Sequence, residues 1–407
     1  MIKDKLCHCH QHKWTPTLHS HERRAQFNGQ SRTRKPKLPE KWKQVGTLKE
    51  IYVYPIKSCG PVLLNKVECS TLGPKDGWLR DRVLMVVDEN YNFITARAHP
   101  ELLLVYPQVK SSVLSLKHVD MEPLHVNLAE VIELQTPKTA KVWGTTVPVY
   151  DCGYEPSEWF SRLLNSSANN FRLVYYASQK SRDLRPLQNS FYKFTKNDTG
   201  ALPDEVPFNL INEASVIELN SRLKDCQVTV RNFRPNFVLS GAEPYAEDNW
   251  KYIKIGENVF EIIKPCTRCV LTTIDPETGV RNSKAEPLET LKSYRQVTDP
   301  EERRATGNSP RMGLQMALRS PAGHLNLIFA VRFISTSRIS NCQTLVKKKT
   351  LQAKFQVDDG KPVWLKGGLY DRFLYTTTVT LCCIGLLMNF IFFFNQAKPS
   401  SWKNPVC

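Results

Sequence analysis

Residues 264–279 read "KPCTRCVLTTIDPETG": two cysteines three apart, a run of β-formers and an Asp-Pro turn. The stretch leading into it, "WKYIKIGENVFEIIKP", has the apolar alternation of a β-hairpin turning at Gly256-Glu257-Asn258. "VLTTID" is expected to continue as a strand. By spacing alone, Cys266 and Cys269 suit half a zinc site, a redox dithiol, or one special thiolate with a bystander. Outward from this stretch the chain is a series of short β-type runs. "TLKEIYVYPIKSC" carries Ile51 and Val53 and ends its strand at Pro55; "RVLMVVDENYNFITAR" turns at Asp88-Glu89-Asn90; then come "LLLVYPQV", "VLSLKHV", "TAKVWGTTVPVYDCG", "FRLVYY" and "RPNFVLSG". Two stretches read as helices: "PSEWFSRLLNS", with Trp159, Phe160, Leu163 and Leu164 on one face, and "NEASVIELNSRL", with Ala214, Ile217 and Leu223 inward. Many short strands and few helices predict a β-rich, barrel-like α+β fold.

The chain has 407 residues, 41% apolar and 23% charged, enough for two or three domains with real cores. Its formal net charge is +17, unevenly spread. Residues 1–45 hold eleven Lys and Arg against three acids with no apolar periodicity, which reads as a disordered or targeting-type arm. A basic surface suits nucleic acid, acidic lipid, a phosphorylated cofactor or an acidic protein. There are no RNP-type aromatics, no Cys/His finger spacing and no basic helix with heptads, so nucleic acid is not expected. Twelve scattered cysteines fit a reducing compartment better than a disulfide scaffold. The opening "CHCHQH" has nothing around it to set a metal geometry.

From Tyr375 to Phe394, "YTTTVTLCCIGLLMNFIFFF" runs without a charge. At about 1.5 Å per residue it spans a hydrocarbon core of roughly 30 Å and predicts a transmembrane helix. Arg372 precedes it and Lys398 and Lys403 follow, so the flanking charges set no orientation. Just upstream, "NLIFAVRFISTSRIS" is apolar, carries Arg and Ser and lacks acids, the composition of a mitochondrial presequence placed in mid-chain.

Four clusters carry chemistry. In "YPIKSC", Lys57 and Ser58 at a strand end can hold a phosphate by charge and hydroxyl donation. In "LRDR", Asp81 can orient Arg82 toward an anion; in "NFRPN", Pro235 fixes the loop between Arg234 and Asn236. The cysteine pair is the fourth. Three cations and a thiol pair fit an anionic cofactor that carries a thiophilic metal.

"VYPIKSC", "GWLRDR", "FITAR", "NFRPNFVLSG", "YAEDNW", "CTRCVLTTIDPETG" and "EPLETLKSYR", in that order from about Val45 to about Leu318, resemble the MOSC proteins called mitochondrial amidoxime-reducing components. The resemblance implies an N-terminal MOSC-type β-barrel domain over 46–180 and a MOSC barrel over 181–322, with a molybdenum cofactor in the cleft between them. It implies Cys269 as the catalytic thiolate ligand of the metal and Cys266 as the bystander. A soft thiolate suits molybdenum, and the adjacent Arg268 favours the deprotonated form. A zinc site would need a second C-x-x-C or two suitably spaced histidines, which Cys59, Cys69, Cys152 and Cys226 do not supply. Position by position, Lys57, Ser58, Arg82, Arg234, Asn236, Thr267 and Arg268 match the family's cofactor contacts, and Thr95 and Arg97 its substrate entrance. The implied reaction is two-electron reduction of N-hydroxylated compounds, amidoximes and hydroxylamines, with electrons from cytochrome b5 and its NADH-dependent reductase.

The chain departs from the family in places. A Thr-Ser pair before Pro207-Phe208 is Glu205-Val206 here, and a cysteine after "SG" is Ala242. Family members carry an N-terminal membrane anchor, and residues 1–45 contain no apolar run. The barrel's closing strands are expected to be missing after Leu318. "NLIFAVRFI" is β-capable, but Arg332 and the Ser/Thr/Arg run after it fit a barrel strand poorly, so 323–350 reads as a linker, mobile from 324. From about Asn326 to residue 402, "LIFAVRFISTSR" and "KFQVDDGKPVWLKGGLYDRFLY" resemble the presequence and mature start of subunit VIIa of cytochrome c oxidase, which implies an inner-membrane partner for residues 351–407. The arrangement looks like two neighbouring reading frames joined.

Overall fold

The computed structural model describes residues 41–165, 170–182, 191–192, 194–195, 198, 200–334 and 369–398. The arm at 1–40, the presequence-like stretch from 335 onward and the VIIa-like segment 351–368 lie outside the described residues.

β-branched and aromatic residues at alternate positions build a closed barrel. Around it run the strands Phe237–Ser240, Phe208–Asn212, Arg311–Leu318, Asn258–Thr267, Tyr252–Ile255, Ala330–Ile334 and Lys43–Val53, and the last pairs back onto the first. Phe208–Asn212 and Phe237–Ser240 are parallel neighbours; the other pairs are antiparallel. Inside, the rings of Phe208, Phe237 and Phe260 meet at centroid distances of 5.0–5.8 Å, all fully buried. Each such side chain contributes roughly 1.5–3 kcal/mol of burial.

The expectation that closing strands are missing is corrected for 323–334. Gly323–Asn326 pairs with Lys66–Ser70, and Ala330–Ile334 is paired on both sides, to Lys43–Val53 and to Tyr252–Ile255. The two-residue period of a strand explains it: Val331 is fully buried while Arg332 is exposed, so the arginine sits on the solvent face. The strand Lys43–Val53, at the head of the first half in sequence, is a stave of this second barrel.

The first half holds its own apolar core, with Leu84, Met85, Val86, Val87, Phe160 and Leu173 among its buried residues. Its strands form a sheet in the order Lys138–Val142, Thr145–Asp151, Arg172–Tyr175, Leu84–Val87, and a meander of Tyr106–Lys110, Val113–His118 and Met121–Asn127. The helix Tyr154–Leu163 buries Trp159, Phe160 and Leu163 as its spacing predicts. Sequence reading passes over the helix Leu128–Leu134, whose first turn is capped by the Asn127 side chain accepting from Ala129 N.

Three local expectations change. "LLLV" is the end of a 3-10 turn, Pro100–Leu104, and only Tyr106–Lys110 is strand. Leu223 is buried as expected, but the helix Glu213–Arg222 otherwise buries Ser215, Val216 and Leu219, with Ile217 exposed and Ala214 only half-buried, because Ser215 hydrogen-bonds inward to buried Glu247. After Cys269 the chain enters a 3-10 turn, Val270–Thr273, instead of continuing as a strand.

The apolar C-terminal segment forms the helix Leu369–Ala397, of which Arg372–Ala397 is long and apolar enough to cross a membrane. The hydroxyls of Thr376, Thr377, Thr378 and Thr380 donate to carbonyls one turn back, at 2.7–2.8 Å, which removes free donors from its surface.

Candidate active site

Strand ends and turns deliver the chemistry to one place. Lys57 and Ser58 follow Lys43–Val53, Arg82 follows the short strand Leu79–Arg80, and Arg234 closes the 3-10 turn Val230–Phe233. Thr267, Arg268 and Cys269 end the long strand Asn258–Thr267. These residues, with Asn236, Thr95 and Arg97, line a single cleft enclosing about 890 Å³ of atom-free space, partly open to solvent. All ten residues singled out from sequence are brought together.

They do not play the same part. Arg82 and Arg234 lie over the ring of fully buried Tyr54, at 4.9 and 4.3 Å. Arg82 pairs with Asp81, as expected, and Asp81 also accepts from Tyr54 N at 2.9 Å. Burial opposes the Arg82 charge but Asp81 outweighs it, so its pKa rises. Arg234 forms no ion pair among the described residues, and Asp81 supports its charge only weakly. Burial lowers its pKa to about 10, and its Nη2 is buried with no hydrogen-bond partner among the described residues. Lys57 is lowered to about 8 by burial, against the pull of Asp204, and donates to Leu202 O at 3.0 Å. Ser58, Arg82 and Arg234 have φ of +72°, +48° and +48°, left-handed conformations rarely adopted by non-glycine residues. Such strain collects where a ligand site demands it.

Two of the expected cofactor contacts, Arg268 and Asn236, line the cleft with side chains already bonded to the protein. The Arg268 guanidinium points into the protein: Nε donates to Met312 O at 2.8 Å, Nη1 to Phe233 O at 3.0 Å and Nη2 to Asn209 Oδ1 at 3.3 Å. Asn236, fully buried, donates to Tyr52 O at 3.2 Å and Asp81 Oδ1 at 2.9 Å. Both side chains tie the walls of the cleft together, because their reach ends at carbonyls and a carboxylate brought in by distant strands.

The cysteines separate. Cys266 is buried and its thiol pKa is pushed up by that burial; its sulfur accepts from Gln315 Nε2 at 3.6 Å. Cys269 is half-buried, faces the cleft, and accepts from Arg97 Nε at 3.4 Å. It is therefore Arg97, placed at the substrate entrance from sequence, whose guanidinium meets the Cys269 sulfur, while Arg268 is turned away. Among the described residues no group of three or more His, Cys, Asp or Glu is placed to hold a metal.

Sequence reasoning missed Asp204 and Trp143. Asp204 accepts from Lys57, from Arg97 Nη2 at 2.8 Å and from Trp143 Nε1 at 2.9 Å. Burial resists its ionisation, but Lys57 and Arg97 outweigh it and hold the carboxyl well below the usual range. Neither residue lies in a motif, and only the fold brings them to the cleft. Glu205, at the departure from the family pattern, pairs with Lys264 at 2.8 Å.

Residues 45–167 match the MOSC N-terminal beta barrel domain and residues 197–326 the MOSC domain, so the chain is a two-part MOSC protein. Mitochondrial amidoxime-reducing component 1 of Homo sapiens is 39% identical over 283 residues, covering 68% of this chain and 80% of the human protein. Mitochondrial amidoxime reducing component 2 of Rattus norvegicus is 38% identical over 293 residues, covering 70% and 83%. The chain belongs to the mitochondrial amidoxime-reducing component family.

Proposed function

We propose that the chain is a molybdenum-cofactor-dependent oxidoreductase that reduces N-hydroxylated compounds such as amidoximes and hydroxylamines. One observation carries the reading: the same cleft holds a buried guanidinium nitrogen with no partner among the described residues, on Arg234, and a half-buried thiol, on Cys269. An anionic cofactor with a thiophilic metal fits both. Lys57, Ser58, Arg82, Arg234 and Thr267 would hold its anionic part, and Cys269 its metal. When bound, the cofactor supplies the two-electron reduction that cleaves an N–O bond, which amino-acid side chains do not provide.

The protein's own residues bind and orient. Tyr54 and Asp81 keep Arg82 and Arg234 side by side facing the cleft. Arg97 steadies the Cys269 sulfur, and Asp204 and Trp143 steady Arg97. The net charge of +17 suits an acidic electron donor, for which cytochrome b5 with its NADH-dependent reductase is our proposal. The names of the relatives and the helix Arg372–Ala397 support a mitochondrial, membrane-associated location. A second reading, a membrane subunit attached to cytochrome c oxidase, draws on that exposed apolar helix; co-migration with a respiratory complex in a native gel would favour it. Metal and pterin analysis of the full chain, purified from cells that make the molybdenum cofactor, tests the first. Near-stoichiometric molybdenum is expected, and bound zinc with no pterin would overturn it.

A further inference from the structure

The hairpin joining Lys138–Val142 to Thr145–Asp151 turns on Trp143-Gly144, with φ of +47° and +78°. Two-residue turns with both φ positive favour Asn or Asp before Gly. A tryptophan there is strained unless its surroundings hold it. Two of its partners line the cleft, Asp204, to which Nε1 donates at 2.9 Å, and Arg97, whose guanidinium lies 5.0 Å over the ring; Phe93 packs against it at 4.8 Å. Even so, 39% of the residue's surface stays open.

Trp143 lines a second chamber of about 840 Å³ that is open to solvent and continuous with the first cleft: Trp143 and Phe194 wall it together with six residues of that cleft, among them Arg97, Asp204, Glu205 and Cys269. The chamber reaches Cys269 as the first cleft does, but none of Lys57, Ser58, Arg82 or Arg234 lines it. Its ionic groups are already matched, Arg97 with Asp204 and Glu205 with Lys264. Among the described residues a ligand entering here therefore meets no unpaired ionic side chain, and the main attraction left is aromatic surface.

We infer that Trp143 is a specificity-determining residue: the Trp143–Phe194 chamber takes the carbon skeleton of the N-hydroxylated substrate and prefers a planar, unsaturated one, an aryl amidoxime over an alkyl amidoxime. The inference rests on the reductase reading of the cleft. An aromatic contact of this kind is expected to favour the aryl substrate by about five-fold.

Trp143→Asn removes the ring while supplying a residue that the turn prefers, and Trp143→Phe keeps an aromatic wall while losing the hydrogen bond to Asp204. The cofactor-loaded full chain is assayed with benzamidoxime and acetamidoxime. Independently of turnover, benzamidine and acetamidine are titrated by ligand-observed NMR onto the cofactor-free full chain. Expected results are an aryl preference in kcat/KM and in binding, a loss of about five-fold in that preference in Trp143→Asn, mainly through KM, and its retention in Trp143→Phe. An unchanged aryl-to-alkyl ratio in Trp143→Asn, in either measurement, overturns the inference. Trp143-dependent benzamidine binding without amidoxime turnover would uphold the chamber and sink the reductase reading instead.

Discussion

Two sides of the same cleft treat positive charge differently. On one, Arg82 and Arg234 are stacked on Tyr54, Arg82 is paired with Asp81, and the Arg234 guanidinium keeps a buried nitrogen unpaired among the described residues. On the other, Arg268 gives its nitrogens to Met312 O, Phe233 O and Asn209 Oδ1, and Arg97 is paired with Asp204. An unpaired buried cation costs stability, so it persists where a ligand completes it. A fully hydrogen-bonded one is part of the scaffold. The contrast teaches that a cation's value to a site is read from what it lacks, more than from how near it lies to the reactive atom.

The largest expected effect tests the thiol at which both sides meet. Cys269→Ser should abolish N-reduction and molybdenum retention in the purified full chain, while Cys266→Ser, altering a buried thiol held by Gln315, should keep most of both. Equal loss in the two variants would remove the distinction between the cysteines.

A smaller effect separates the two arginines. Arg234→Ala should cut pterin occupancy by about ten-fold or more, as expected for hydrogen bonds to charged groups of about 1.5–3 kcal/mol, with little change in Tm. Arg268→Ala should do the reverse first: it strands buried carbonyls at about 1–3 kcal/mol each, lowering Tm before occupancy is considered. Thermal unfolding alongside pterin quantification checks both, and a matching pattern in the two variants would break the comparison.

The smallest effect concerns pH. Burial holds Lys57 near 8 in spite of Asp204, so its charge is present below that pH and lost above it. Since this pKa lies below the unfolded value of 10.5, the charged form costs folding stability at low pH, and the cost fades as pH climbs from 8 toward 10.5. Pyrophosphate binding to the cofactor-free chain, followed by calorimetry, should be level below pH 8 and weaken above it. Lys57→Arg should flatten that dependence, and an equal slope in the variant would assign the titration elsewhere.

Much of the site was legible because its residues sit in short, rigid contexts. Pro55 ends the strand before Lys57, Pro235 stiffens the loop from Arg234, and the long strand Asn258–Thr267 carries Cys269 to the cleft. The inner face of the helix Glu213–Arg222 was legible only at Leu223, because that face is partly polar, with Ser215 bonded to Glu247, and apolar spacing placed Ile217 inward instead. The closing strand Ala330–Ile334 was hidden by a presequence-like composition that is equally compatible with a barrel stave.

The sequence by itself determined the β-rich barrel class, the family, the apolar C-terminal helix and the set of ten residues that share one cleft, because local period and motif spacing depend on neighbours a few positions apart. Only the tertiary structure decided which of those side chains are already satisfied by the protein. The Arg268 and Asn236 side chains are bonded to carbonyls and a carboxylate that the barrel brings from 35 to 184 positions away in the chain, and Asp204 and Trp143 reach the cleft from a loop and a hairpin tip. Side-chain direction follows from where partners stand in space, and no spacing along the chain encodes that.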